Sequence, residues 1–369
     1  MSLIPTRDHN IKIAPTVHIK LHIPISPVTD ITMSKIPAYS IYIGDLASLE
    51  TAKDAGFTHI VSLIPGAMPA TFNPTDFAGH LHIEIDDNEV TNIMTHFTDT
   101  NKFIHDALSS NEDNKVLVHC VAGMSRSVTI VLAYLLLQAH LAKEPEARER
   151  LMLEEEAEAE VDRLLAEQIA PARGLSTLPN ESFREQLIIY ARSGCDASPA
   201  RPLYRQWELR QQAATGVPPE APRYVSAISR EAGAEGHPAS ILRCKKCRTP
   251  LAASAGFILH TPADPSTAAL AHGYRKGAPA GATGTTNMAP RNGMIFTSSL
   301  PAQCMQYFME PVKWMRPELK KGLLEGKLGC PKCAAKVGSY SWRGGKCSCG
   351  VWVTPAIEIQ RARVDEVRI

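Results

Sequence analysis

The sequence has no marked excess of charge of either sign and no long apolar segment. Its 39 Lys and Arg residues nearly balance 38 Asp and Glu residues, so the net charge of +1 does not indicate a nucleic-acid or membrane partner. Arg7, Asp8 and His9 occupy the place where a signal peptide has its apolar core, and no apolar run approaches membrane-spanning length. We therefore expect a soluble protein of the cytoplasm and nucleus that does not contact membranes.

Disulfides are not expected either, although the chain has nine cysteines. Six of them form three closely spaced pairs, which are Cys244 and Cys247, Cys330 and Cys333, and Cys347 and Cys349. Pairs with the C-x2-C and C-x-C spacing are more typical of metal ligands than of disulfides. Cys195 has no partner and is interpreted as a free thiol.

The length of 369 residues allows two domains, and composition divides the chain into four parts. The predicted parts are an N-terminal extension over residues 1–33, a first domain over 34–196, a linker over 197–240 and a second domain over 241–369. The residues of the N-terminal extension leave two alternatives, a strand and a disordered segment. The linker is rich in Pro, Ala and Arg, and a Gly-, Ala-, Pro- and Thr-rich insert at 261–293 is expected to be flexible.

Hydrophobic patterning in the first domain alternates between strand and helix. The predicted strands cover 41–44, 58–63, 81–85 and 116–118. The predicted helices cover 46–55, 93–108, 128–138, 144–169 and 179–190. The glutamates of the fourth helix are interpreted as a solvated face. Strands that alternate with helices indicate an α/β fold with a central sheet flanked by helices.

A short loop between a predicted strand and a predicted helix carries the clearest functional signal. Cys120 follows the apolar strand, Arg126 closes a Cys-x5-Arg loop, and Ser127 comes next. A helix N-terminus binds anions because its free backbone N–H groups and the helix dipole point at the ligand. A cysteine there loses its proton more easily and becomes a nucleophilic thiolate, and an arginine offers a planar fork for two phosphate oxygens. The loop therefore predicts a cysteine-dependent phosphatase.

The chemistry of such an enzyme assigns a role to each residue of the loop. Cys120 would attack phosphorus in line and form a phosphocysteine. Arg126 would bind two oxygens and stabilise the transition state, and Ser127 would donate to the Cys120 sulfur. The backbone N–H groups that would hold the phosphate oxygens belong to Val121, Ala122, Gly123, Met124, Ser125 and Arg126. His119 is interpreted as a residue that orders the loop. This reaction needs no metal or other cofactor.

The leaving oxygen needs a proton, so a general acid is required. Asp86 and Asp87 are the candidates, because they lie on the loop after the strand 81–85 and upstream of Cys120. The alternative for either residue is a role in the turn, which Asp-Asn sequences favour. The residues by themselves leave both candidates open.

The cysteines of the second domain predict two structural zinc sites. One predicted set consists of Cys330, Cys333, Cys347 and Cys349. Its two pairs are separated by thirteen residues, a pattern typical of a zinc ribbon with four cysteine ligands. The pair Cys244 and Cys247 needs two further ligands, for which Cys304 is the only other cysteine of this region and His260 is the best histidine. A catalytic zinc is not expected, because no ligand position is left open.

In these motifs the chain resembles the dual-specificity phosphatases that carry a C-terminal zinc-binding domain. The first half has the superfamily motifs Ile41-Tyr42-Ile43-Gly44, His119-Cys120-x5-Arg126-Ser127 and Pro179-Asn180-x-x-Phe183. The second half has the narrower match in Cys244-Lys245-Lys246-Cys247-Arg248, Ala302-Gln303-Cys304, Glu310-Pro311-Val312-x-Trp314-Met315, Cys330-Pro331-Lys332-Cys333 and Cys347-Ser348-Cys349-Gly350.

The resemblance implies the dual-specificity phosphatase fold, a zinc-ribbon-like β-rich second domain, and activity toward phosphotyrosine and phosphoserine or phosphothreonine in proteins. It selects Asp87 as the general acid, because the family places this residue ten positions before an aromatic or apolar residue, here Phe97. It implies His260 as a zinc ligand. It also implies a role in late assembly of the large ribosomal subunit, on pre-60S particles.

Two functions therefore remain open. The first is a protein phosphatase, and the second is a ribosome assembly factor that docks through the zinc domain and whose phosphatase activity is dispensable. Between Met294 and Gly350 there are nine Lys and Arg residues and three acids, which indicates a basic surface for RNA or an acidic partner, with a solvated face as the alternative. A phosphoinositide phosphatase ranks lower, since the loop from Val121 to Ser125 has no basic residue.

Overall fold

The computed structural model describes residues 33–174, 177–219, 222–229, 239–260 and 304–369. Nearly all of the predicted N-terminal extension and the whole insert at 261–293 lie outside the described residues. None of the helices in the described part of the chain has the length and apolar character needed to cross a bilayer. The described residues form a helix-rich first domain and a β-rich second domain with separate buried cores.

The first domain is built on a five-stranded sheet. Its strands are β1 (Met33–Lys35), β2 (Ile41–Gly44), β3 (His59–Leu63), β4 (Gly79–Ile83) and β5 (Val116–His119). They lie in the order β1-β2-β5-β3-β4, in which β1 is antiparallel to β2 and the other neighbours are parallel. β5 thus lies in the centre and is buried at every residue. The loop that follows it opens at the carboxyl edge of the sheet, between β2 and β3.

The helices of this part of the chain pack around the sheet. They are α1 (Ser48–Ala52), α2 (Phe97–Ser110), α3 (Arg126–Leu141), α4 (Pro145–Glu149), α5 (Glu154–Leu164), α6 (Ala170–Arg173), α7 (Glu181–Arg192) and α8 (Pro202–Ala214). The central helix is α3, which is buried continuously from Arg126 to Leu136, as expected for a helix that is apolar on all faces. The predicted α/β fold with a central sheet flanked by helices is confirmed.

The glutamate-rich run at 144–169 does not form the single predicted helix. It is divided into α4, α5 and a π-helical turn at Leu165–Ile169 that leads into α6. Ala157 of α5 is fully buried in the core, whereas Glu158 pairs with Arg184 of α7 at 2.9 Å. The interpretation as a solvated face thus holds for one side of α5 only, because its other side helps to cover the core.

The range predicted as a linker, 197–240, contains α8, which packs on both domains. Trp207 is 1% exposed in the core of the first domain, while Leu209, two residues later, belongs to the core of the second. The Arg205 guanidinium donates to both carboxylate oxygens of the buried Glu310 in the second domain, at 2.7 and 3.1 Å. The two domains therefore share a helix, and the predicted domain boundaries stay predictions.

The described residues of the second domain form three small antiparallel sheets. Its strands are β6 (Ser240–Cys244), β7 (Pro250–Ala253), β8 (Gln306–Phe308), β9 (Glu325–Gly329), β10 (Lys336–Ser341), β11 (Gly345–Lys346), β12 (Trp352–Val353), β13 (Ala356–Gln360) and β14 (Val364–Arg368), with the short helix α9 (Arg316–Leu319) before β9. The sheets have the orders β14-β6-β7, β8-β13-β10-β9 and β11-β12. The predicted β-rich second domain is confirmed.

Candidate active site and cysteine clusters

The predicted phosphate loop lies between the end of β5 and the start of α3. Gly123 has a φ angle of +67°, and a Cβ atom there would lie 2.8 Å from the carbonyl oxygen of Gly44 in β2. Any other residue would be strained and would collide with this strand, so the position requires glycine. The N–H of Cys120 donates to the same carbonyl at 3.4 Å, which holds the start of the loop against β2.

The Cys120 thiol lies at the base of this loop and is almost fully buried. Its Sγ accepts a hydrogen bond from the N–H of Gly123 at 3.2 Å and lies 3.4 Å from the Ser127 hydroxyl. Burial raises the pKa of the thiol, but the hydroxyl and N–H of Ser127, the N–H of Met124 and the charge of Arg126 lower it by more. The pKa of Cys120 therefore lies below its ordinary value, which favours the thiolate.

His119 is fully buried and connects the loop to the sheet. Its Nδ1 lies 3.3 Å from the carbonyl oxygen of Cys120, which can only accept, so the proton is assigned to Nδ1. Nε2 then accepts from the Ser62 hydroxyl at 2.7 Å, and Ser62 accepts from His80 Nε2 at 2.9 Å. Burial lowers the pKa of His119 to about 4, so the ring is neutral at neutral pH. This arrangement agrees with the predicted role in ordering the loop.

Arg126 opens α3 with its guanidinium largely buried beside the loop. Its Nη1 donates to the carbonyl oxygen of Ile85 at 3.0 Å, and its Nε lies 3.5 Å from Asp87 Oδ2. The segment that follows β4 thus holds the guanidinium against the loop. An arginine fixed in this way is already oriented for a phosphate group.

The two candidate acids differ in their contacts. Asp87 Oδ1 accepts from the Ser125 hydroxyl and from the side-chain amide of Asn180, each at 2.8 Å. Asp86 is exposed and makes no hydrogen bond or ion pair with any described residue. Both residues are exposed, but only Asp87 contacts the loop. The role of Asp87 as general acid stays a prediction.

Sequence reasoning assigns no role at the site to two residues beside the loop, Asn180 and Arg173. Asn180 caps the N-terminus of α7 by accepting from the N–H of Phe183, and its amide also donates to Asp87. An Asn before an amphipathic helix is an N-cap signal, but nothing local indicates the contact with Asp87. Arg173 of α6 lies against Gly123. No motif marks Arg173, which lies in the short helix α6 after the glutamate-rich run.

The eight predicted metal ligands form two clusters in the second domain, but not the sets expected from the order of the sequence. Cluster 1 consists of Cys244, Cys247, Cys330 and Cys333, and cluster 2 consists of His260, Cys304, Cys347 and Cys349. The prediction that the pairs at 330–333 and 347–349 share one ion is therefore wrong. The set that joins the pair at 244–247 to His260 and Cys304 is wrong for the same reason, since the ligand pairs interleave.

Matching turns and the order of the strands explain the interleaving. Cys244 lies at the end of β6 and Cys330 directly after β9. In both turns the residue after the second cysteine has a positive φ angle, +62° at Arg248 and +56° at Ala334, and its N–H donates to the carbonyl of the first cysteine. Spacing within a pair determines such a turn. Which turns meet depends on how the three sheets pack, and this order differs from the order of the chain.

The geometry of the clusters fits zinc. Cys244 Sγ lies 3.8 Å from Cys333 Sγ, and Cys304 Sγ lies 3.5 Å from His260 Nε2. All ligand atoms of a cluster lie within 4.8 Å of one another. A tetrahedral zinc ion with Zn–S bonds of about 2.3 Å places its sulfur ligands about 3.8 Å apart. Each cluster can hold a metal ion, and four protein ligands are typical of a structural site.

Comparison with known proteins supports both halves of this description. The family described as the dual specificity phosphatase catalytic domain matches residues 41–193. Tyrosine-protein phosphatase YVH1 of Saccharomyces cerevisiae is 33% identical over 359 residues, which cover 88% of this chain and 89% of the yeast protein. The Schizosaccharomyces pombe tyrosine-protein phosphatase yvh1 is 37% identical over 294 residues, which cover 78% and 71%. Human dual specificity protein phosphatase 12 is 31% identical over 337 residues, which cover 89% and 87%.

These matches extend well beyond the catalytic domain, because the yeast and human proteins align with nearly nine tenths of this chain. The buried thiol on its loop and the two cysteine clusters are thus parts of one protein architecture. The chain belongs to the dual-specificity protein phosphatases of the type that includes YVH1 and dual specificity protein phosphatase 12.

Proposed function

We propose that the first domain hydrolyses phosphotyrosine, phosphoserine and phosphothreonine in proteins through a phosphocysteine intermediate on Cys120. The observation that carries the proposal is the convergence of three groups at one loop. A buried thiol of lowered pKa lies under the backbone N–H groups, Arg126 lies beside it, and Asp87 is held by Ser125 at 2.8 Å. Nucleophile, anion-binding group and proton donor are the parts that phosphate transfer requires.

In the first step the Cys120 thiolate attacks phosphorus. An S–P bond forms and the P–O bond to the substrate breaks, while the N–H groups from Val121 to Arg126 and the Arg126 guanidinium hold the other oxygens. Asp87 gives its proton to the leaving oxygen. This proton matters most for serine and threonine substrates, whose alkoxides are poor leaving groups.

In the second step water attacks the phosphocysteine. The Asp87 carboxylate takes a proton from the water, the S–P bond breaks, and inorganic phosphate leaves. Cys120 returns as a thiolate, which the Ser127 hydroxyl at 3.4 Å stabilises. The same carboxylate thus acts first as acid and then as base.

A nucleophile variant tests this mechanism. Cys120→Ser should abolish hydrolysis of an aryl phosphate and of phosphotyrosine, phosphoserine and phosphothreonine peptides without lowering the melting temperature. Rapid quenching of the wild type should yield a phosphorylated peptide that contains Cys120. Cys195→Ser changes a thiol outside the loop and should keep the activity. Full activity of Cys120→Ser would reject the mechanism, and activity on phosphotyrosine alone would reject the dual specificity.

We also propose that the second domain binds two structural zinc ions and docks on pre-60S ribosomal particles. The nine Lys and Arg residues between Met294 and Gly350 are all exposed. Of the three acids in this range, Glu310 is buried and pairs with Arg205 of α8, so it offsets none of the nine basic residues. The exposed surface is therefore more basic than the residue count indicates, which supports an RNA-containing partner.

A pull-down of particles with tagged full-length protein tests the docking. Charge reversal at Lys320 and Lys321 should weaken binding without loss of zinc, and binding should fall as salt rises. Cys120→Ser should bind as the wild type does. Loss of binding in Cys120→Ser with zinc retained would show that docking and phosphate chemistry are one function. Normal assembly of large subunits in cells that carry only Cys120→Ser would favour the alternative, an assembly factor whose phosphatase activity is dispensable.

A further inference from the structure

A cleft of about 750 Å³ lies between the two domains. One wall is formed by α5, α7 and α8, and the other by residues 258–260 and 351–354 of the second domain. Neither the phosphate chemistry nor the metal ligands use most of the side chains that line it. The cleft exists only in the full chain, because each domain supplies one wall.

The cleft is lined by residues that are close in the chain to the candidate acid and to its partner Asn180. Glu89 and Val90 line it and belong to the loop that carries Asp87. Glu181 lines it too and directly follows Asn180, whose amide donates to Asp87. A polypeptide whose phosphorylated side chain occupies the loop at Cys120 would therefore continue toward the cleft.

The charges along the cleft favour a cationic occupant. Five glutamates and three arginines line it. The arginines are all paired, Arg184 with Glu158, Arg192 with Glu154 and Arg210 with Glu185. Glu89 and Glu181 form no ion pair with any described residue, and they are the two glutamates that flank the acid loop and its Asn180 partner. The end of the cleft nearest the active site thus carries uncompensated negative charge.

An exposed tryptophan stands on the opposite wall. Trp352 is 62% exposed, whereas Trp207 and Trp342 are each 1% exposed. Its Nε1 donates to Thr354 Oγ1 at 3.0 Å, and Gly344 leaves room for the ring, since a Cβ atom there would lie 2.5 Å from Nε1. The indole is therefore held in place while much of its surface stays free. Aromatic anchors of this kind are typical of the residues that dominate binding energy at interfaces.

We propose that the cleft binds the polypeptide of the phosphoprotein substrate beside the phosphorylated residue, with basic side chains near Glu89 and Glu181 and an apolar side chain on Trp352. The proposal rests on the proposed phosphatase function and adds that the second domain takes part in the choice of substrate. Complementary charge raises specificity more than affinity, so substrates with basic flanks are favoured over acidic ones. A small aryl phosphate fills the loop alone and does not reach Trp352.

Steady-state kinetics of the full chain test this proposal with three substrates. They are para-nitrophenyl phosphate, a phosphotyrosine peptide flanked by Arg and Leu, and a matched peptide in which Glu replaces Arg. The wild type should prefer the Arg peptide. Trp352→Ala should lower kcat/KM for the Arg peptide by about 10- to 30-fold relative to kcat/KM for para-nitrophenyl phosphate. Leu323→Ala removes another exposed apolar side chain of the second domain, outside the cleft, and should keep the wild-type ratio.

The proposal is overturned if Trp352→Ala leaves the ratio of kcat/KM for the Arg peptide to kcat/KM for para-nitrophenyl phosphate unchanged. It is also overturned if kcat/KM falls equally with all three substrates, which would indicate damage to the catalytic loop. Peptide binding to an inactive variant tests the cleft independently of catalysis. In full-length Cys120→Ser, the Arg peptide should quench the fluorescence of the exposed Trp352, and the added Trp352→Ala change should remove this quenching. If the wild type hydrolyses none of the peptides, the proposed function fails, and the presence or absence of quenching still decides whether the cleft binds them.

Discussion

The two domains place cysteine thiols in opposite surroundings. In the first domain Cys120 stands alone, and its sulfur faces backbone N–H groups and the Ser127 hydroxyl, which stabilise a thiolate that is free to attack. In the second domain every cysteine lies in one of the two clusters, where its neighbours are further thiols or His260. Each of these clusters can hold a metal ion between its ligand atoms. The surroundings therefore separate a nucleophile from a structural ligand, while the residue type is the same.

The domains also differ in what stabilises them. The first has a five-stranded sheet covered by helices, with the apolar helix α3 at the centre of its core. The second divides its strands among sheets of two, three and four strands. Small sheets bury little apolar surface, and closed metal sites supply folding free energy directly. We therefore expect metal to be essential for the second domain only.

Metal removal should have the largest effect. Chelation should unfold the second domain, because structural zinc contributes apparent free energies of ~10–16 kcal/mol in small zinc-binding units. Aryl phosphatase activity should persist, and circular dichroism with activity measured on the same sample checks both statements. Loss of activity together with the second domain would show that the shared helix α8 transmits the unfolding.

The zinc content of double variants tests which ligand pairs share an ion. The double variant Cys244→Ser/Cys330→Ser should retain one zinc per chain by elemental analysis, because both residues belong to cluster 1. Cys330→Ser/Cys347→Ser is the matched control and should lose both ions, because it damages each cluster. The opposite result would restore the sets expected from the order of the sequence.

Removal of the general acid should have the next largest effect, a loss of catalytic rate. Asp87→Asn should lower the rate by ~10²–10⁴, the usual scale for general acid catalysis. Asp86→Asn should change the rate much less, because only Asp87 contacts Ser125 and Arg126 of the loop. Rates with a phosphoserine peptide should fall more than rates with an activated aryl phosphate, which needs less protonation. Equal losses in the two variants would remove the assignment of Asp87.

Two neighbouring residues of α8 offer a test of the division between the cores. Trp207→Ala should destabilise the first domain by ~3–5 kcal/mol, and Leu209→Ala should destabilise the second by ~2–5 kcal/mol. Denaturant unfolding followed by phosphatase activity and by zinc release reports the two domains separately. If either substitution destabilises both domains equally, the cores are a single cooperative unit.

The smallest expected effect concerns the pH dependence of catalysis. Ser127 lowers the pKa of Cys120, so Ser127→Ala should raise it and move the acid limb of kcat/KM to higher pH. A hydrogen bond to a charged group corresponds to about one pH unit. The rate below the new pKa should fall while the rate well above it changes less. An acid limb that does not move would show that another group controls it.

Local sequence patterns were sufficient to predict the candidate site where its residues are contiguous in the chain. The strand, loop and helix start from Val116 to Ser127 lie in one short stretch. The structure has the three elements in the predicted order, with the helix beginning at Arg126 rather than at Val128. The choice of Asp87 over Asp86 did not follow from the residues alone, because both lie on the same loop and only contacts with Ser125 and Asn180 distinguish them. The resemblance to the family made that choice, and the geometry agrees with it.

The sequence by itself determined the features that depend on covalent neighbours. These are the Cys-x5-Arg loop and the three closely spaced cysteine pairs. Only the tertiary structure decided which cysteine pairs meet, that α8 carries Trp207 into one core and Leu209 into the other, and that Glu89 and Trp352 line the same cleft. The physical reason is that backbone geometry restricts residues a few positions apart, whereas contacts between distant segments depend on how sheets and helices pack.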